Sequence, residues 1–287
     1  MVINKEWSVL TIGDGDLSFS RSIFDNYKPK KLTATVLDSV NELTSKYGSE
    51  HLDYLQKQSD GVLNEVDCQV VTEFDITDLD KVRQLTQEYD LVIFQFPLVP
   101  NFSSQGEFQQ HTKTRTQIGS QSSEQFLSIN TINRRLLRLF LINSFDCLLA
   151  QDGAQLAYIS SKDVKPYIEW DIEYSLTKET ELSCIGSMEF ITEQFPGYKI
   201  RNVDRDKHVK DTASLTYVWT SNHNREARLD LFPAMNPLPT LFGELGCDIC
   251  HAGPFETEQE KTSHQAGKKH KRMSEYEAQW QGYLQSS

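Results

Sequence analysis

At 287 residues, with a net charge of -12, 38% apolar and 24% charged residues, the chain fits one large globular domain plus an appendage, or two modest domains. No stretch approaches the roughly 18 unbroken apolar residues of a membrane helix, and MVINKEWSVL lacks the apolar run of a secretory signal, so a cytosolic or nuclear setting is expected. The acidic balance argues against a generic nucleic-acid coat protein, and an odd count of five cysteines argues against a disulfide framework.

Trp7 to Ile12 reads as a buried strand, and the loop of TIGDGDLSFS follows it. Residues 17 to 27 read as a helix, with Asp16 or Ser18 as N-cap. KLTATVLD is a second strand ending on Asp38, and 41 to 58 has helical spacing with Leu43, Tyr47 and Leu55 inward. CQVVTEFD is a third strand, ending on Asp75; a helix over 78 to 88 follows, capped by Thr77 or Asp78. YDLVIFQFP is apolar almost throughout, as a central parallel strand buried on both faces should be. The polar stretch 99 to 124 is too long for an ordinary connection and reads as a functional loop or a locally disordered one. A long helix is expected over 125 to 150, a fifth strand over 155 to 160, a helix from Pro166, and late strands over 188 to 195 and 214 to 220.

This alternation predicts a doubly wound α/β sheet, mostly parallel, with an antiparallel hairpin at one edge. Strands one to four should lie side by side, their C-terminal ends forming one ligand crevice. The acids sit at those ends. Gly13 and Gly15 permit a tight turn and close approach of a ligand; Asp38 can accept both hydroxyls of a ribose; Asp75 can accept from an adenine amino group. Asp14 and Asp16 would repel a pyrophosphate, and Ser18 stands where a dinucleotide fingerprint wants its third glycine, which disfavours a nucleotide-dependent oxidoreductase. S-adenosylmethionine has no phosphate and carries an ammonium and a sulfonium, so acids suit it, and a helix N-terminus can receive its carboxylate. Read blandly, the same acids are turns and caps.

GDGDLSFS, ATVLDS, VIFQFPLV, NRRLLRLFLINS, and PYIEW followed by FPGY together resemble the eukaryotic large-subunit rRNA uridine-N3 methyltransferases, over about residues 9 to 219. The resemblance implies a class I Rossmann-like methyltransferase fold, S-adenosylmethionine as donor, rRNA as partner and a nuclear, nucleolar setting, with the cytoplasm as the alternative. It places Gly13, Asp14, Gly15, Asp16, Asp38 and Asp75 at the donor and Gln95, Phe96 and Pro97 at the reacting base. The family's strand-four motif reads Asn-Phe-Pro-His; here Gln95 and Leu98 replace its first and last residues, which keeps a non-catalytic RNA-binding or ribosome-assembly protein as the competing reading. His111 is a candidate proton acceptor, and Phe96, Phe102 and Tyr167 are candidates for stacking on a flipped base.

Near the C-terminus, Cys247-x2-Cys250-x13-His264-x5-His270 has the ligand types and spacing of a tetrahedral zinc site. The stretch SHQAGKKHK resembles the U1-like or matrin-type C2H2 finger, a class associated with RNA. Lys268, Lys269, Lys271 and Arg272 on or after its helix are candidate phosphate contacts, and Tyr276, Trp280 and Tyr283 form either a partner-binding stripe or simple packing. The expected organisation is a methyltransferase-like domain over 1–235, a linker over 236–246, and a zinc finger with a C-terminal helix over 247–287.

Overall fold

The computed structural model describes residues 1–59, 66–85, 88–99, 104, 106, 108–109, 113–118, 121–201, 212–229, 231–232 and 235–286. His111 and Phe102 lie outside these. By contact density the chain divides into two units, Met1–Asn101 with Leu136–Pro237, and Phe102–Arg135 with Leu238–Ser287. The second boundary falls near the expected linker. Residues 102–135, expected within the first domain, group with the tail.

The first unit is built on a seven-stranded sheet of order β3-β2-β1-β4-β7-β9-β8. Its strands are β1 (Ser8–Ile12), β2 (Lys31–Thr35), β3 (Asp67–Val71), β4 (Leu91–Gln95), β7 (Leu156–Lys162), β8 (Leu182–Glu189) and β9 (Ser214–Ser221). β1 pairs in parallel with β2 and β4, β2 with β3, and β4 with β7; β9 runs antiparallel to both neighbours. The expected hairpin is present, but β9 lies inside the sheet and β8 forms the edge. β4 sits at the centre and is buried along its whole length, which is why LVIFQ shows no polar alternation. Val9, Leu32, Ala34, Leu91, Ile93, Leu156 and Tyr158 face one core with Phe19 and Ile23 of α1 (Ser18–Asn26). Each such aliphatic side chain withdrawn from water contributes about 1.5–3 kcal/mol.

Several expected elements end elsewhere. The helix over 41 to 58 is two, α2 (Val40–Tyr47) and α3 (Glu50–Ser59), broken at Gly48, whose φ of 81° suits glycine. Ser39 starts α2 with a reciprocal capping box to Glu42. α4 (Leu79–Val82) is a single turn capped by the Asp78 carboxylate. The long helix α5 (Ile129–Asn143) begins four residues late and closes with a π-helical turn at Ser144–Leu148. The helix expected from Pro166 is a 3₁₀ turn, Tyr167–Trp170, followed by one α turn, Ile172–Ser175. β8 lies six residues before its expected start, because its central CIGSM carries too few large apolar residues to stand out.

In the second unit, the polar stretch contains an antiparallel pair, β5 (Lys113–Ile118) and β6 (Gln121–Phe126). The tail holds α6 (Glu258–Ala266) and α7 (Lys268–Ser286), separated at Gly267. Trp280 of α7 is fully buried, with the guanidinium of Arg134 4.7 Å from its ring centroid. Arg134 also pairs with Glu277 at 3.0 Å, and Gln279 Oε1 accepts from Ser128 N at 2.9 Å. The aromatic stripe of α7 is therefore packing at Trp280. Among the described residues no helix is long and apolar enough to cross a membrane.

Candidate functional site

The loop after β1 turns because Gly13 adopts φ +60°, where a Cβ would also meet the Phe94 ring at 3.1 Å. The turn is held by Asp14 N donating to Thr35 O at 3.0 Å and Leu17 N donating to Asp14 O at 2.8 Å. Gly15 needs no such conformation; an added Cβ there would find only Arg201 Cβ, at 3.9 Å. Neither Asp16 nor Ser18 occupies the N-cap position of α1. Leu17 does, in left-handed backbone and without a side-chain cap. The capping is done from upstream instead. Asp16 Oδ1 accepts from Ser18 N at 3.0 Å, and Asp14 Oδ2 accepts from Ser20 N at 2.6 Å.

Both acids are thus engaged by the protein. Asp16 Oδ2 is also paired with Arg201 Nε at 2.7 Å, across 185 residues of sequence. Asp14 is only 4% exposed, and burial, followed by the charge of Asp16, pushes its carboxyl up to about 7 despite the amide bonds it accepts. The first amides of α1 are occupied by carboxylates, so they do not stand open for the carboxylate of a ligand.

At the end of β2, Asp38 is half-buried and paired with Lys46 Nζ at 2.9 Å. Beyond β3, Asp75 Oδ1 accepts from Thr77 N at 2.8 Å and Thr77 Oγ1 at 2.7 Å, an Asx turn that leaves Oδ2 without a partner among the described residues. Asn143 of α5 donates to Ile76 O at 2.7 Å and fixes the backbone next to Asp75. The NRRLLRLFLINS stretch supplies further pins: Arg138 Nη1 donates to the carbonyls of Leu176 and Lys178, each at 2.8 Å.

The end of β4 is different. Gln95 is 8% exposed, and among the described residues neither its amide nitrogen nor its amide oxygen has a hydrogen-bond partner. An amide left so costs roughly 1–3 kcal/mol, and such a group calls for an explanation. Phe96 follows at φ +48°, a conformation costing about 1–2 kcal/mol for a residue with a Cβ. Its amide donates to Ser160 O at 3.0 Å, and its ring meets Phe190 edge-on at 5.2 Å. Pro97 is buried and Leu98 half-buried. Tyr167 packs edge-on against Trp170 at 4.9 Å.

In the tail, one ligand atom from each of Cys247, Cys250, His264 and His270 lies within 4.8 Å of the others. The two cysteines are presented by a knuckle in which Cys247 N donates to Ala252 O at 2.8 Å. His264 lies in the last turn of α6, and His270 lies in the first turn of α7 beyond Gly267. His270 Nδ1 is 3.3 Å from Cys247 Sγ and 3.6 Å from Cys250 Sγ, about the edge length of a tetrahedron around zinc. Its Nε2 meets Ser274 Oγ at 3.2 Å, which fixes the ring, and His264 Nε2 is buried with no partner among the described residues. Burial and the neighbouring Cys247 push the Cys250 thiol up to about 11, so two adjacent thiolates need a cation to form. His251, next to Cys250 in the sequence, is outside this cluster. Lys268, Lys269 and Lys271 are exposed without an acid partner among the described residues; Arg272 is half-buried.

Comparison with known proteins comes from two directions. Residues 10–202 match the BMT5-like family, described as rRNA (uridine-N3-)-methyltransferase BTM5-like. The 25S rRNA (uridine(2634)-N(3))-methyltransferase of Saccharomyces cerevisiae is 27% identical over 268 residues, covering 80% of this chain and 79% of that one. Among solved structures, a putative methyltransferase from Thermoplasma acidophilum is 10% identical with a TM-score of 0.39, covering 76% of this chain and 70% of that one. A putative RNA methyltransferase from Pyrococcus horikoshii is 14% identical with a TM-score of 0.37, covering 76% and 75%.

Proposed function

The chain belongs to the BMT5-like family of rRNA (uridine-N3-)-methyltransferases, and from that premise we propose that it transfers a methyl group from S-adenosylmethionine to N3 of a uridine in rRNA. The observation that carries the site assignment is the unpartnered, buried amide of Gln95 at the C-terminal end of the central strand. A uracil edge offers an N–H flanked by carbonyl oxygens. An amide that both donates and accepts complements it, and it is satisfied only when a base enters. Here glutamine stands at the family's asparagine position and reaches one methylene further.

The donor supplies an electrophilic methyl on a sulfonium. The chain's own residues bind and orient it at the ends of β1, β2 and β3. Asp38 accepts the ribose hydroxyls and the open Oδ2 of Asp75 accepts the adenine amino group. Gly13 and Gly15 let the backbone approach, while Asp14 and Asp16 place negative charge near the ligand's cationic tail through carboxylates already fixed on α1. Gln95, Phe96 and Pro97 place the base in line with the methyl carbon, and holding the two reactants so supplies much of the rate.

In the tail, Cys247, Cys250, His264 and His270 would hold a structural zinc with all four positions filled by protein. The finger so formed contacts RNA phosphates through Lys268, Lys269, Lys271 and Arg272. It adds to a methyltransferase-like domain over 1–235, and the rRNA substrate assigns the protein to the nucleus, in the nucleolus.

The test is to incubate zinc-loaded protein with labelled donor and the RNA it crosslinks to in cells, then map the modified nucleoside. N3-methyluridine is expected. Donor binding without transfer supports the non-catalytic reading that Gln95 and Leu98 keep in play, and no donor binding at all removes the proposal. Cys250→Ser is expected to release the metal, read by metal analysis, and to weaken RNA binding.

A further inference from the structure

β4 and β7 pair in parallel with Gln95 opposite Ser160. Register partners in a parallel pair present their side chains to the same face of the sheet, and so does the residue two positions along. Gln95, Ser160 and Lys162 therefore share one face at the C-terminal edge of the sheet. The Cα of Lys162 is about 8 Å from that of Gln95, given ~4.8 Å between strands and ~3.3 Å per residue. Their side chains can thus touch one small planar ligand. Ser160 does not compete for it, because its hydroxyl is tied to Thr216 Oγ1 at 2.8 Å.

Lys162 is half-buried, and its side-chain ammonium has neither an ion pair nor a hydrogen bond among the described residues. Its neighbour Lys165 is paired with Glu169 at 3.5 Å. Desolvation lowers the pKa of Lys162, and among the described residues no nearby carboxylate offsets it. Among the described residues, the end of the central strand pair thus holds an amide without partners and an ammonium without a counter-charge, side by side.

We propose that Lys162 is a catalytic residue, its ammonium set against a uracil carbonyl oxygen beside N3 to stabilise the negative charge that forms there. This rests on the reading that the chain methylates uridine N3. In the step, the N3–H bond breaks and the proton leaves to water. The N3 electron pair forms the new N–C bond, and the C–S bond of the donor breaks with its electrons staying on sulfur. Lys162 keeps its protons throughout. A cation fixed in a partly desolvated site acts strongly on such charge because it needs no reorganisation.

The test uses full-length, zinc-loaded protein and large-subunit rRNA transcribed with either uridine or 5-fluorouridine, whose N3 is the more acidic. Lys162→Met, which keeps the stem and removes the charge, and Lys162→Gln should each lose about 100-fold in single-turnover methyl transfer with donor affinity unchanged. The deficit should shrink roughly tenfold on 5-fluorouridine RNA, where less stabilisation is needed. Lys162→Arg should retain most of the rate. A deficit under about threefold, or an equal one on both RNAs, or loss of donor binding and of the melting transition in both neutral variants, overturns the assignment while wild-type activity upholds the function. Wild-type protein that methylates neither RNA overturns the function and the assignment together.

Discussion

The ends of β1 and β4 lie next to each other in the sheet and treat their polar groups in opposite ways. At β1, Asp14 and Asp16 are held by the first amides of α1 and by Arg201. At β4, Gln95 is also buried and has no partner among the described residues. Motif reading places both at the ligand. The geometry separates them: the acids build a rigid turn whose carboxyl groups are held within the fold, and the amide has no partner among the described residues. A buried polar group that the protein has already satisfied fixes its surroundings, and one that it has not satisfied calls for an explanation, which at the end of the central strand we take to be the base.

The strongest test of this contrast is Gln95→Leu. Methyl transfer should fall about 100-fold or more, while the melting temperature holds or rises, because an unsatisfied amide costing roughly 1–3 kcal/mol is removed. Lower stability with normal turnover would show that the amide is satisfied within the fold. Arg201→Ala should do the reverse. It leaves the Asp16 carboxylate buried without its charge partner, so a loss of about 2–3 kcal/mol in denaturant unfolding is expected, more than any change in the turnover of the folded protein.

Asp14 gives a subtler reading. Its folded pKa, about 7, lies above the ordinary value for an aspartate, near 3.8, so the folded chain keeps a proton that the unfolded chain has lost. The stability from this group is present below about pH 4 and fades as pH rises towards 7. Asp14→Asn should therefore gain on wild type as pH rises from 5 to 8 in paired denaturant melts, and a pH-independent difference would break the assignment. A cationic donor beside Asp14 should also expel its proton at pH 7, so the binding heat should depend on the ionisation enthalpy of the buffer. The smallest effect is expected from Gly15→Ala. The backbone tolerates it, so stability should hold within about 0.5 kcal/mol while donor affinity falls a fewfold, whereas Gly13→Ala should cost about 1–2 kcal/mol of stability through its positive φ.

Much of the framework was readable from the residues, for specific reasons. Continuous apolar runs such as LVIF mark strands buried on both faces, and acids after the second and third runs fall beyond the C-terminal ends of neighbouring strands because parallel strands end together. The four metal-ligand candidates announce themselves by type and spacing. What escaped has no local signal. The pairing of Asp16 with Arg201 joins two distant segments that neither periodicity nor motif connects. The strands of residues 113–118 and 121–126 are almost wholly polar, so their sequence shows no alternation. Lys162 looks like any strand-end lysine until the register of β4 and β7 sets it beside Gln95.

Arg134 has a practical consequence for anyone wishing to work with a shortened protein. The family match ends at residue 202, which invites an expression clone that stops before the cysteines. Such a clone would delete Glu277 and Trp280, stripping the buried guanidinium of its counter-ion and of the indole against it. Newly bared apolar surface of this kind favours aggregation. Poor solubility of that fragment would then report a missing lining, and would say nothing about whether the catalytic residues are competent.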